Sequence, residues 1–557
     1  MTRLIECVPN FSEGRDPAVI KQITDAVESV EGVRLLNVDP GRATNRTVVT
    51  FVGEPEAVVE AAFRAIRTAG EAIDMRTQQG EHPRMGATDV CPLVPIAGIT
   101  MDETVEYARK LAERVGRELD LPVYLYESAQ PDKTRSNLSV IRTGEYEGLA
   151  QKMTRAEWKP DFGPATFDAK RGASVIGARD FLVAYNVNLN TTSTRRANAI
   201  AFDVREAGRV LKDEQGNNRI DAIGQIATEP GMLKSVKAIG WFIEEYGVAQ
   251  VSMNLTNINV TPVHVAFDAV CRAADARGIR VTGSELVGLV PLKCLTDAGR
   301  HYLEKQQRST GVSERELVRI AVRSLGIDEL TPFKPEERVI EYLLQDDADA
   351  PLVRMSLTDF MHETASESPA PGGGSIAAYV GALGAALAAM VANLSSHKRG
   401  WDERWKEFSD HAETGQRHAQ ELLCLVDEDT RAFTRVMTAF GMPRATEDEK
   451  SARTAAVQAA TRAATEVPFR VMEVALESMA TIRAMAAVGQ ENSVSDAGVG
   501  ALCARTAVMG AWLNVKINAA QLTDRVFADH VIGRSAAVAA EAQRIESEIL
   551  EIVDSRM

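Results

Sequence analysis

Apolar positions in the first part of the chain follow two periods in turn, one typical of strands and one typical of helices. Short apolar runs predict strands at residues 4–8, 33–38, 47–52 and 123–126, and amphipathic runs predict helices at residues 17–30 and 56–68. This β-α-β-β-α-β order is that of a split, ferredoxin-like unit.

A similar order of elements follows residue 180. The predicted strands lie at residues 181–187, 236–241, 249–255 and 280–283, and the predicted helices at residues 195–206 and 262–274. Two such units in tandem predict a divided α+β region. The cleft between two halves of this kind is a common place for a ligand site.

From about residue 356 the pattern is helical to the end. Long Ala-rich amphipathic runs, with Pro443 and Pro468 as breaks, predict an all-α domain built as an antiparallel helical bundle. Residues 376–394 approach the roughly 20 uncharged residues of a membrane span. Their Ala and Gly content indicates a tightly packed buried helix instead. Apolar helices leave surface to cover, so we expect a homo-oligomer.

A chain of 557 residues is too long for one hydrophobic core. Residues 345–351 are acidic, small and ended by proline, which is the composition of a linker. The sequence therefore predicts an N-subdomain at residues 1–181, a C-subdomain at 182–343, a linker at 344–351 and a helical domain at 352–557.

The net charge, the N-terminal sequence and the placement of cysteines and histidines argue against several functional classes. A net charge of −15 and a pI near 5.3 argue against a nucleic-acid-binding protein. The N-terminal residues lack the apolar core of a secretion signal, so we expect a cytoplasmic protein without a membrane partner. The 6 cysteines form no C-x-x-C pair and the 8 histidines form no zinc motif, so no metal is expected.

His82 is the first candidate for chemistry. It lies in GEHPRMG, residues 80–86, which has no apolar periodicity and is flanked by glycines. A histidine in such a loop is free to point into a cleft, and near neutral pH its ring can accept or donate a proton. From these residues alone, a surface histidine without a role is an equally good interpretation.

Asp429 shares a predicted helical face with apolar residues. Val426 precedes it by three positions and Phe433 follows it by four, so the three lie in one stripe. Asp427, about 200° away around the helix, should face elsewhere. Burial of a carboxyl is costly and raises its pKa, which suits proton delivery to a leaving amine. An aspartate bonded to a neighbouring helix is the alternative.

The loop GPATFDAKRG, residues 163–172, is rich in turn residues and carries one aromatic ring and two adjacent cations. Phe167 could stack on a ring, and Lys170 and Arg171 could hold carboxylates. A connector between the two α+β units is the alternative, at comparable odds.

Polar residues near helix ends and faces are weaker candidates. Glycines in PAPGGGS, residues 369–375, allow backbone N–H groups to approach an anion at a helix N-terminus, although Ser375 could simply cap the helix. Asn514 and Asn518 share one face and could bind a heterocyclic ring, but a tie between two helices is the better interpretation. Residues 493–496, SVSD, fit a capping box.

Together these motifs resemble the formimidoyltransferase-cyclodeaminase family over nearly the whole chain. The first part is similar in ECVPNFSEG, VDPGRATNRTVVTFVG, GEHPRMGATDVCPLVP, DFGPATFDAKRGASVIGARDFLVAYNVNL and GSELVGLVPLK. The second part is similar in SPAPGGGSIAAYVGALGAALAAMV, LVDEDTRAF, the N-x-x-x-D of Asn492 to Asp496, and NVKIN. Long motifs in the same order in both parts make a chance resemblance improbable.

The resemblance implies roles for particular residues. His82 would be the catalytic residue of a transferase, and Asp429, the second Asp of VDEDT, that of a cyclodeaminase. The implied folate-binding loop consists of Gly163, Pro164, Ala165, Thr166, Phe167, Asp168, Ala169, Lys170, Arg171 and Gly172. The implied fold is two ferredoxin-like subdomains, then an all-α domain similar to methenyltetrahydrofolate cyclohydrolases. Residues 211–234 are longer than in animal members of the family, which predicts a surface excursion.

The resemblance also implies a two-step reaction in histidine degradation and one-carbon metabolism. The formimino group of N-formimino-L-glutamate moves to N5 of tetrahydrofolate, and 5-formimidoyltetrahydrofolate then closes to 5,10-methenyltetrahydrofolate with release of ammonia. Tetrahydrofolate, with or without a polyglutamate tail, is the substrate and one-carbon carrier, and no metal is implied. A protein with only one active half and a non-catalytic folate-binding scaffold are the alternatives.

Overall fold

The computed structural model describes residues 3–42, 44–80, 82–213, 215–220, 226–344 and 350–557. The chain divides into two compact units, one formed by Met1–Cys294 and Leu325–Leu344 and the other by Leu295–Ser324 and Gln345–Met557. Residues 345–349, in the middle of the predicted linker, lie outside the described residues. The segment Leu295–Ser324, which the sequence suggests for the C-subdomain, belongs to the helical unit.

A mixed sheet forms the first part of the first unit. Its strands are β1 (Leu4–Cys7), β2 (Asn10–Phe11), β3 (Val33–Gly41), β4 (Arg46–Gly53), β5 (Thr88–Ala97), β6 (Val123–Glu127) and β7 (Ser174–Ala178). The helices around it are α1 (Pro17–Glu28), α2 (Pro55–Ala72), α3 (Met101–Glu118), α4 (Leu138–Ile141) and α5 (Glu145–Lys152). Among the described residues the sheet order is β3, β4, then β1 and β2 in line, β5, β7 and β6.

Strand β5 corrects the predicted element order. The sequence assigns residues 123–126 as the last strand of the first β-α-β-β-α-β unit, but that position beside β1 belongs to β5. The predicted strand is β6 instead, which pairs in parallel with β7 at the sheet edge. Two prolines, Pro92 and Pro95, obscure β5 in the sequence, because proline lacks the N–H that a strand normally donates.

Alternation along β1 separates the two faces of this sheet. Ile5 and Cys7 are fully buried in a core shared with α1, α2 and α3. Glu6 lies on the opposite face. At the β5–β7–β6 side that opposite face is covered by α4 and α5 through a smaller apolar cluster around Tyr124 and Ile141. The rest of the face, over β1 and β4, borders a cavity.

A second sheet completes the first unit. Its strands are β8 (Val183–Leu189), β11 (Val236–Ile243), β12 (Val248–Leu255) and β13 (Val281–Val287), and its helices are α6 (Thr194–Val204) and α7 (Val263–Asp275). Short strands β9 (Arg209–Val210) and β10 (Thr228–Glu229) lie between α6 and β11. The sheet order is β11-β12-β8-β13, all antiparallel. The order of elements along the chain is the predicted one.

The described residues of the segment 211–234 form two isolated antiparallel bridges in addition to the pairing of β10 with β9. Lys212 bridges to Asn218, and Ile220 bridges to Ile226. Both isoleucines are exposed, as expected of a surface excursion. Glu214 and residues 221–225 lie outside the described residues.

The remaining elements are helices. They are α8 (Leu292–Lys305), α9 (Glu314–Leu325), α10 (Pro335–Arg338), α11 (Ile340–Leu344), α12 (Leu357–Thr364), α13 (Gly373–Ser396), α14 (Trp405–Phe440), α15 (Glu447–Val488), α16 (Val494–Ala519) and α17 (Arg525–Arg556). Pro443 separates α14 from α15, as predicted. Pro468 does not end a helix, since it lies buried inside α15, where packing of Val471 and Met472 into the core outweighs the missing hydrogen bond.

Helix α13 lies in the core of the helical unit. Among the described helices it alone has the length and composition of a membrane span, and 61% of its most apolar window is buried. Small residues let neighbouring helices approach closely: a Cβ on Gly384 would lie 2.8 Å from the carbonyl oxygen of Gly500 on α16. The Ala and Gly content therefore serves helix packing, as the sequence indicates.

Candidate active sites

His82 lies half-buried in the loop between α2 and β5. Its Nδ1 atom is 2.6 Å from Nη1 of Arg46 and 2.7 Å from the carbonyl oxygen of Pro83. A neutral imidazole nitrogen either accepts or donates a hydrogen bond, so these two contacts compete. When Nδ1–H donates to Pro83, Nε2 keeps a lone pair that can take a proton.

Arg46 is fixed at the beginning of β4 by two further partners. Its Nε and Nη2 atoms donate to Oδ1 of Asn10 at 2.9 and 2.7 Å, and Nη1 donates to the carboxylate of Asp89 at 2.9 Å. Arg142, directly after α4, also pairs with Asp89, and the amide of Met85 donates to it at 3.0 Å. Asp89 has no exposed surface, so one buried carboxylate fixes two arginines beside the imidazole.

The surroundings of His82 favour its neutral form. Burial lowers the pKa of His82 from its ordinary value of 6.5, and the charge of Arg46 lowers it further. The imidazole is therefore available as a base at neutral pH. Burial also lowers the pKa of Arg46, to about 10, so the guanidinium stays charged. The pair offers a proton acceptor and a fixed cation side by side.

Parallel pairing of β5 and β7 brings the predicted folate loop to the segment that follows His82. Because both strands begin at the same edge of the sheet, the residues before them lie together. Gly86 forms an antiparallel bridge with Gly172. Gly172 has a φ of +71°, and a Cβ there would lie 2.1 Å from the carbonyl oxygen of Met85. Only glycine fits this contact.

The two cations of the loop are already bonded within the protein. Nζ of Lys170 donates to the carbonyl oxygen of Glu71 at 2.8 Å. Arg171 donates to the carboxylate of Asp168 and to the carbonyl oxygen of Leu119, each at 2.6 Å. Both cations therefore brace the loop, and their contact with ligand carboxylates stays a prediction.

The tip of the loop remains accessible. Phe167 is half-buried, with its ring centroid 5.5 Å from that of Tyr146. Its neighbours Ala165 and Thr166 are exposed. The aromatic ring is thus held at the protein surface, where the predicted stacking with a ligand ring needs it.

A cavity of about 740 Å³ borders the open face of the first sheet. Asn10, Arg46 and Arg142 contribute to its wall, and residues of the second sheet, such as Asn254, line it as well. Neither His82 nor the loop 163–172 is among its lining residues. His82 contacts Arg46, which belongs to the cavity wall.

The buried ion pairs of Asp89 lead to a stability prediction. Asp89→Ala leaves Arg46 and Arg142 without their counter-charge, so the free energy of unfolding of the first unit should fall by about 3–5 kcal/mol. Urea unfolding at neutral pH measures this change. Asp74→Ala, which removes an exposed pair with Arg76, is the control and should have little effect. Equal effects of the two substitutions would contradict the role given to Asp89.

Asp429 lies on α14 against the N-terminus of α13. Its Oδ2 atom accepts a hydrogen bond from Oγ of Ser375 at 3.1 Å. A Cβ on Gly374 would lie only 2.2 Å from Oδ1. The glycine loop does let a helix N-terminus approach an anion, but that anion is the protein's own carboxylate. Ser375 is not the helix cap, a position held by Gly372.

Opposing effects act on the acidity of Asp429. Burial raises its pKa above the ordinary value of 3.8, while the hydroxyl and the amide of Ser375 lower it by hydrogen bonding. The N-terminus of a helix also stabilises negative charge. A carboxyl in this position can release a proton and remain stable as the anion, as an acid catalyst must.

Asp427 faces a different side of α14 from Asp429, as predicted, but that side is the more deeply buried one. Asp427 is 3% exposed and accepts hydrogen bonds from the amides of Leu352 at 2.9 Å and Val353 at 3.3 Å. The segment before α12 therefore covers this side of α14, which local periodicity cannot reveal. Phe433, predicted in the buried stripe, is 41% exposed.

The two asparagines of α16 have different surroundings. Asn518 donates to the carbonyl oxygen of Ala464 at 2.7 Å and so ties α16 to α15, which confirms the interpretation of that residue. Asn514 donates to Gly510 of its own helix at 3.0 Å, and its Nδ2 atom lies 3.5 Å from the place of a Cβ on Gly373. Asn514 thus faces the glycine loop that holds the carboxylate.

Two further observations concern polar groups. The predicted capping box at residues 493–496 is not formed, because the side chain of Ser493 makes no cap bond and instead accepts from Nε2 of Gln490 at 3.0 Å. Within the described residues, no group of three or more His, Cys, Asp or Glu side chains could hold a metal ion.

Family models match three successive parts of the chain. They are described as formiminotransferase domain, N-terminal subdomain, over residues 4–179, formiminotransferase domain over residues 184–345, and formiminotransferase-cyclodeaminase over residues 356–537. Formimidoyltransferase-cyclodeaminase of Rattus norvegicus is 42% identical over 557 residues, which cover 100% of both chains. The chain belongs to the formimidoyltransferase-cyclodeaminase family.

Shorter relatives match one part each. Glutamate formimidoyltransferase of Thermoplasma acidophilum is 42% identical over 321 residues, covering 57% of this chain and 98% of the relative. Methenyltetrahydrofolate cyclohydrolase of Methylorubrum extorquens is 37% identical over 202 residues, covering 36% of this chain and 97% of the relative. This member of the formimidoyltransferase-cyclodeaminase family thus joins parts that occur separately elsewhere.

Sequence reasoning about this family member missed Arg46, Asp89 and Arg142. Each pair of them is 43 residues or more apart in the sequence, so no local pattern joins them. One signal was available: Asp89 interrupts an otherwise apolar strand, and a buried carboxylate requires a partner. The identity of that partner depends on the tertiary fold.

The close contact between Gly374 and Asp429 predicts a loss of the second activity of the family. In Gly374→Ala the new methyl group would displace the carboxylate, and displacement of a reacting group by about 1 Å can cost 10²-fold in rate. Turnover of added 5-formimidoyltetrahydrofolate measures the effect. Gly533→Ala, at a helical glycine with open space around its Cβ, is the control. A normal cyclisation rate in Gly374→Ala would contradict the assignment of Asp429 as the reacting group.

Proposed function

We propose that this chain transfers the formimino group of N-formimino-L-glutamate to N5 of tetrahydrofolate and then closes the product to 5,10-methenyltetrahydrofolate with loss of ammonia. The observation that carries the proposal is the full-length match to formimidoyltransferase-cyclodeaminase. A neutral histidine and a carboxyl with a raised pKa, each in a different unit, provide one proton-transfer group for each step.

In the first step, N5 attacks the formimino carbon and forms a tetrahedral intermediate. His82 takes the proton from N5 and returns one to the nitrogen of glutamate as its bond to carbon breaks. Because the pKa of His82 is below its ordinary value, the base form predominates at neutral pH and is available to accept the proton. The fixed charge of Arg46 is placed to orient a carboxylate of formiminoglutamate.

In the second step, N10 attacks the same carbon and loses its proton to solvent, and the former imino nitrogen leaves as ammonia. Ammonia departs only when its nitrogen is protonated, and Asp429 supplies that proton. The amide and hydroxyl of Ser375 and the N-terminus of α13 then stabilise the carboxylate that remains. Because its pKa is raised, a larger fraction of Asp429 is protonated before the step. The nearby donors stabilise the carboxylate after the proton has left.

The same family membership supports finer assignments. We infer two ferredoxin-like subdomains, at about residues 1–181 and 182–343, and a cyclodeaminase bundle from about residue 352. Within the second subdomain range, Leu295–Ser324 belongs to the helical unit, and the sheet order of that subdomain, β11-β12-β8-β13, supports the ferredoxin-like assignment. The loop Gly163 to Gly172 is assigned to folate binding, with Phe167 at its accessible tip. The assembly is assigned as a cytoplasmic homo-oligomer, and the reaction needs no metal.

The intact chain, given formiminoglutamate and tetrahydrofolate, tests the proposal directly. The absorbance of 5,10-methenyltetrahydrofolate should rise, with one glutamate and one ammonia released per turnover. A protein with one active half would stop at 5-formimidoyltetrahydrofolate or would act only when that compound is supplied. A scaffold would bind folate without turnover, and either result would refute the proposal.

A further inference from the structure

The carboxyl group of Glu6 is buried without a partner. Glu6 is 2% exposed, and within the described residues its side chain makes no hydrogen bond or salt bridge. Its charged neighbours are Arg179, which lowers its pKa, and Glu341, which raises it. It is one of the residues that line the 740 Å³ cavity. Burial raises the pKa of Glu6 to about 7. An unpaired carboxyl of this kind is costly to the fold, so a ligand is the expected source of its missing donors.

Strand register places Glu6 at a distance from the reacting end of the cavity. Glu6 is opposite Val52 on β4, and Asn10, which holds Arg46, is opposite Val48. Four residues of a strand span about 13 Å at about 3.3 Å per residue. Glu6 is therefore too far from the His82 and Arg46 contact to touch the formimino carbon or N5, and it must face a part of a substrate remote from them.

The chemistry of the two substrates leaves one such part. The remote groups of formiminoglutamate and of the folate tail are carboxylates, which a glutamate side chain repels. The remote edge of the pterin instead carries two adjacent N–H donors, on N3 and on the 2-amino group, in the spacing that a carboxylate accepts as a pair. We propose that Glu6 binds this edge of tetrahydrofolate and so selects a 2-amino-pterin, with N5 directed towards His82.

This inference rests on the proposed function. It adds that the 2-amino edge of the pterin is recognised and that Glu6 recognises it. Nη1 of the neighbouring Arg179 donates to the carbonyl oxygen of Asp180 at 2.9 Å, and within the described residues Arg179 forms no salt bridge with Glu6. On the same strand, Ile5 and Cys7 face the helices, so Glu6 is the position of β1 whose charge is turned to the cavity. The Glu6 carboxylate is therefore not part of the apolar core under this strand.

The test compares two non-reacting ligands in the full-length protein. The first is 5-formyltetrahydrofolate, whose N5 is blocked, and the second is the same compound with the 2-amino group replaced by methyl. Isothermal titration calorimetry gives both dissociation constants. Since a charge-assisted hydrogen bond is strong, the unmodified protein should favour the 2-amino ligand by about 10- to 100-fold. Glu6→Gln should reduce that preference to about 3-fold or less.

Two further variants separate recognition from folding. Glu6→Asp keeps the charge and should retain part of the preference. Glu127→Gln changes an exposed carboxyl of the same cavity and should retain all of it. An unchanged preference in Glu6→Gln would overturn the assignment even if the folate binds. Binding of neither ligand by the unmodified protein would instead contradict the proposed function itself, and the assignment of Glu6 with it.

Discussion

Replacing His82 with alanine should lower the transferase rate by about 10²–10⁴-fold and leave the cyclisation of added 5-formimidoyltetrahydrofolate unchanged. The substitution removes the group that takes the proton from N5, while Arg46 remains fixed by Asn10 and Asp89. Formation of glutamate from formiminoglutamate measures the first step, and absorbance of methenyltetrahydrofolate measures the second.

The pH profile adds a check on the same residue. The base form of His82 is lost as pH falls through its pKa, which lies below 6.5. The transferase rate of the unmodified protein should therefore be level near neutral pH and fall only in more acidic solution. His530→Ala, at an exposed histidine of the helical unit, is the control. Full transferase activity in His82→Ala would show that another group takes the proton.

Replacing Asp429 with asparagine should lower cyclisation by about 10²–10⁴-fold and spare the transfer step. Asparagine has nearly the same shape but cannot supply a proton. For the unmodified protein, the protonated form of Asp429 declines as pH rises through its raised pKa, so the cyclisation rate should fall with rising pH, opposite to the trend for transfer. Measured accumulation of 5-formimidoyltetrahydrofolate reports the block.

Asp427 provides a matched control two residues away on the same helix. Asp427→Asn weakens the hydrogen bonds to Leu352 and Val353, so we expect a loss of about 1–3 kcal/mol in the free energy of unfolding. Cyclisation per folded molecule should be retained. If Asp427→Asn abolished cyclisation and Asp429→Asn did not, the assignment of the acid would have to move to Asp427.

Part of the fold follows from local pattern and part does not. The second sheet has the predicted order of elements because its strands are short, apolar and bounded by polar turns. Strand β5 was missed because it combines prolines with burial of its first seven residues in succession, so neither alternation nor strand propensity marks it. Pro468 was taken as a break because its burial inside α15 depends on helices distant in sequence.

The candidate sites were also predicted only in part from local sequence. Motifs identified His82 and Asp429, but their chemistry depends on non-local contacts. Arg46 and Asp89 set the charge around His82, and the glycine loop before α13 sets the environment of Asp429. The helical-face argument gave Asp427 a different face from Asp429 but could not predict its burial, which depends on the segment around Leu352. Sequence can name the reacting groups, while their acidity requires the folded neighbours.

The central claim is that two separate residues of one chain carry out successive steps through a folate intermediate. Mixing His82→Ala with Asp429→Asn in the presence of formiminoglutamate and tetrahydrofolate tests it most directly. Each variant alone should form almost no 5,10-methenyltetrahydrofolate, and the mixture should form it steadily, as the product of one variant reaches the intact site of the other. A mixture as inactive as its components, with both proteins folded and 5-formimidoyltetrahydrofolate absent, would contradict the two-site account.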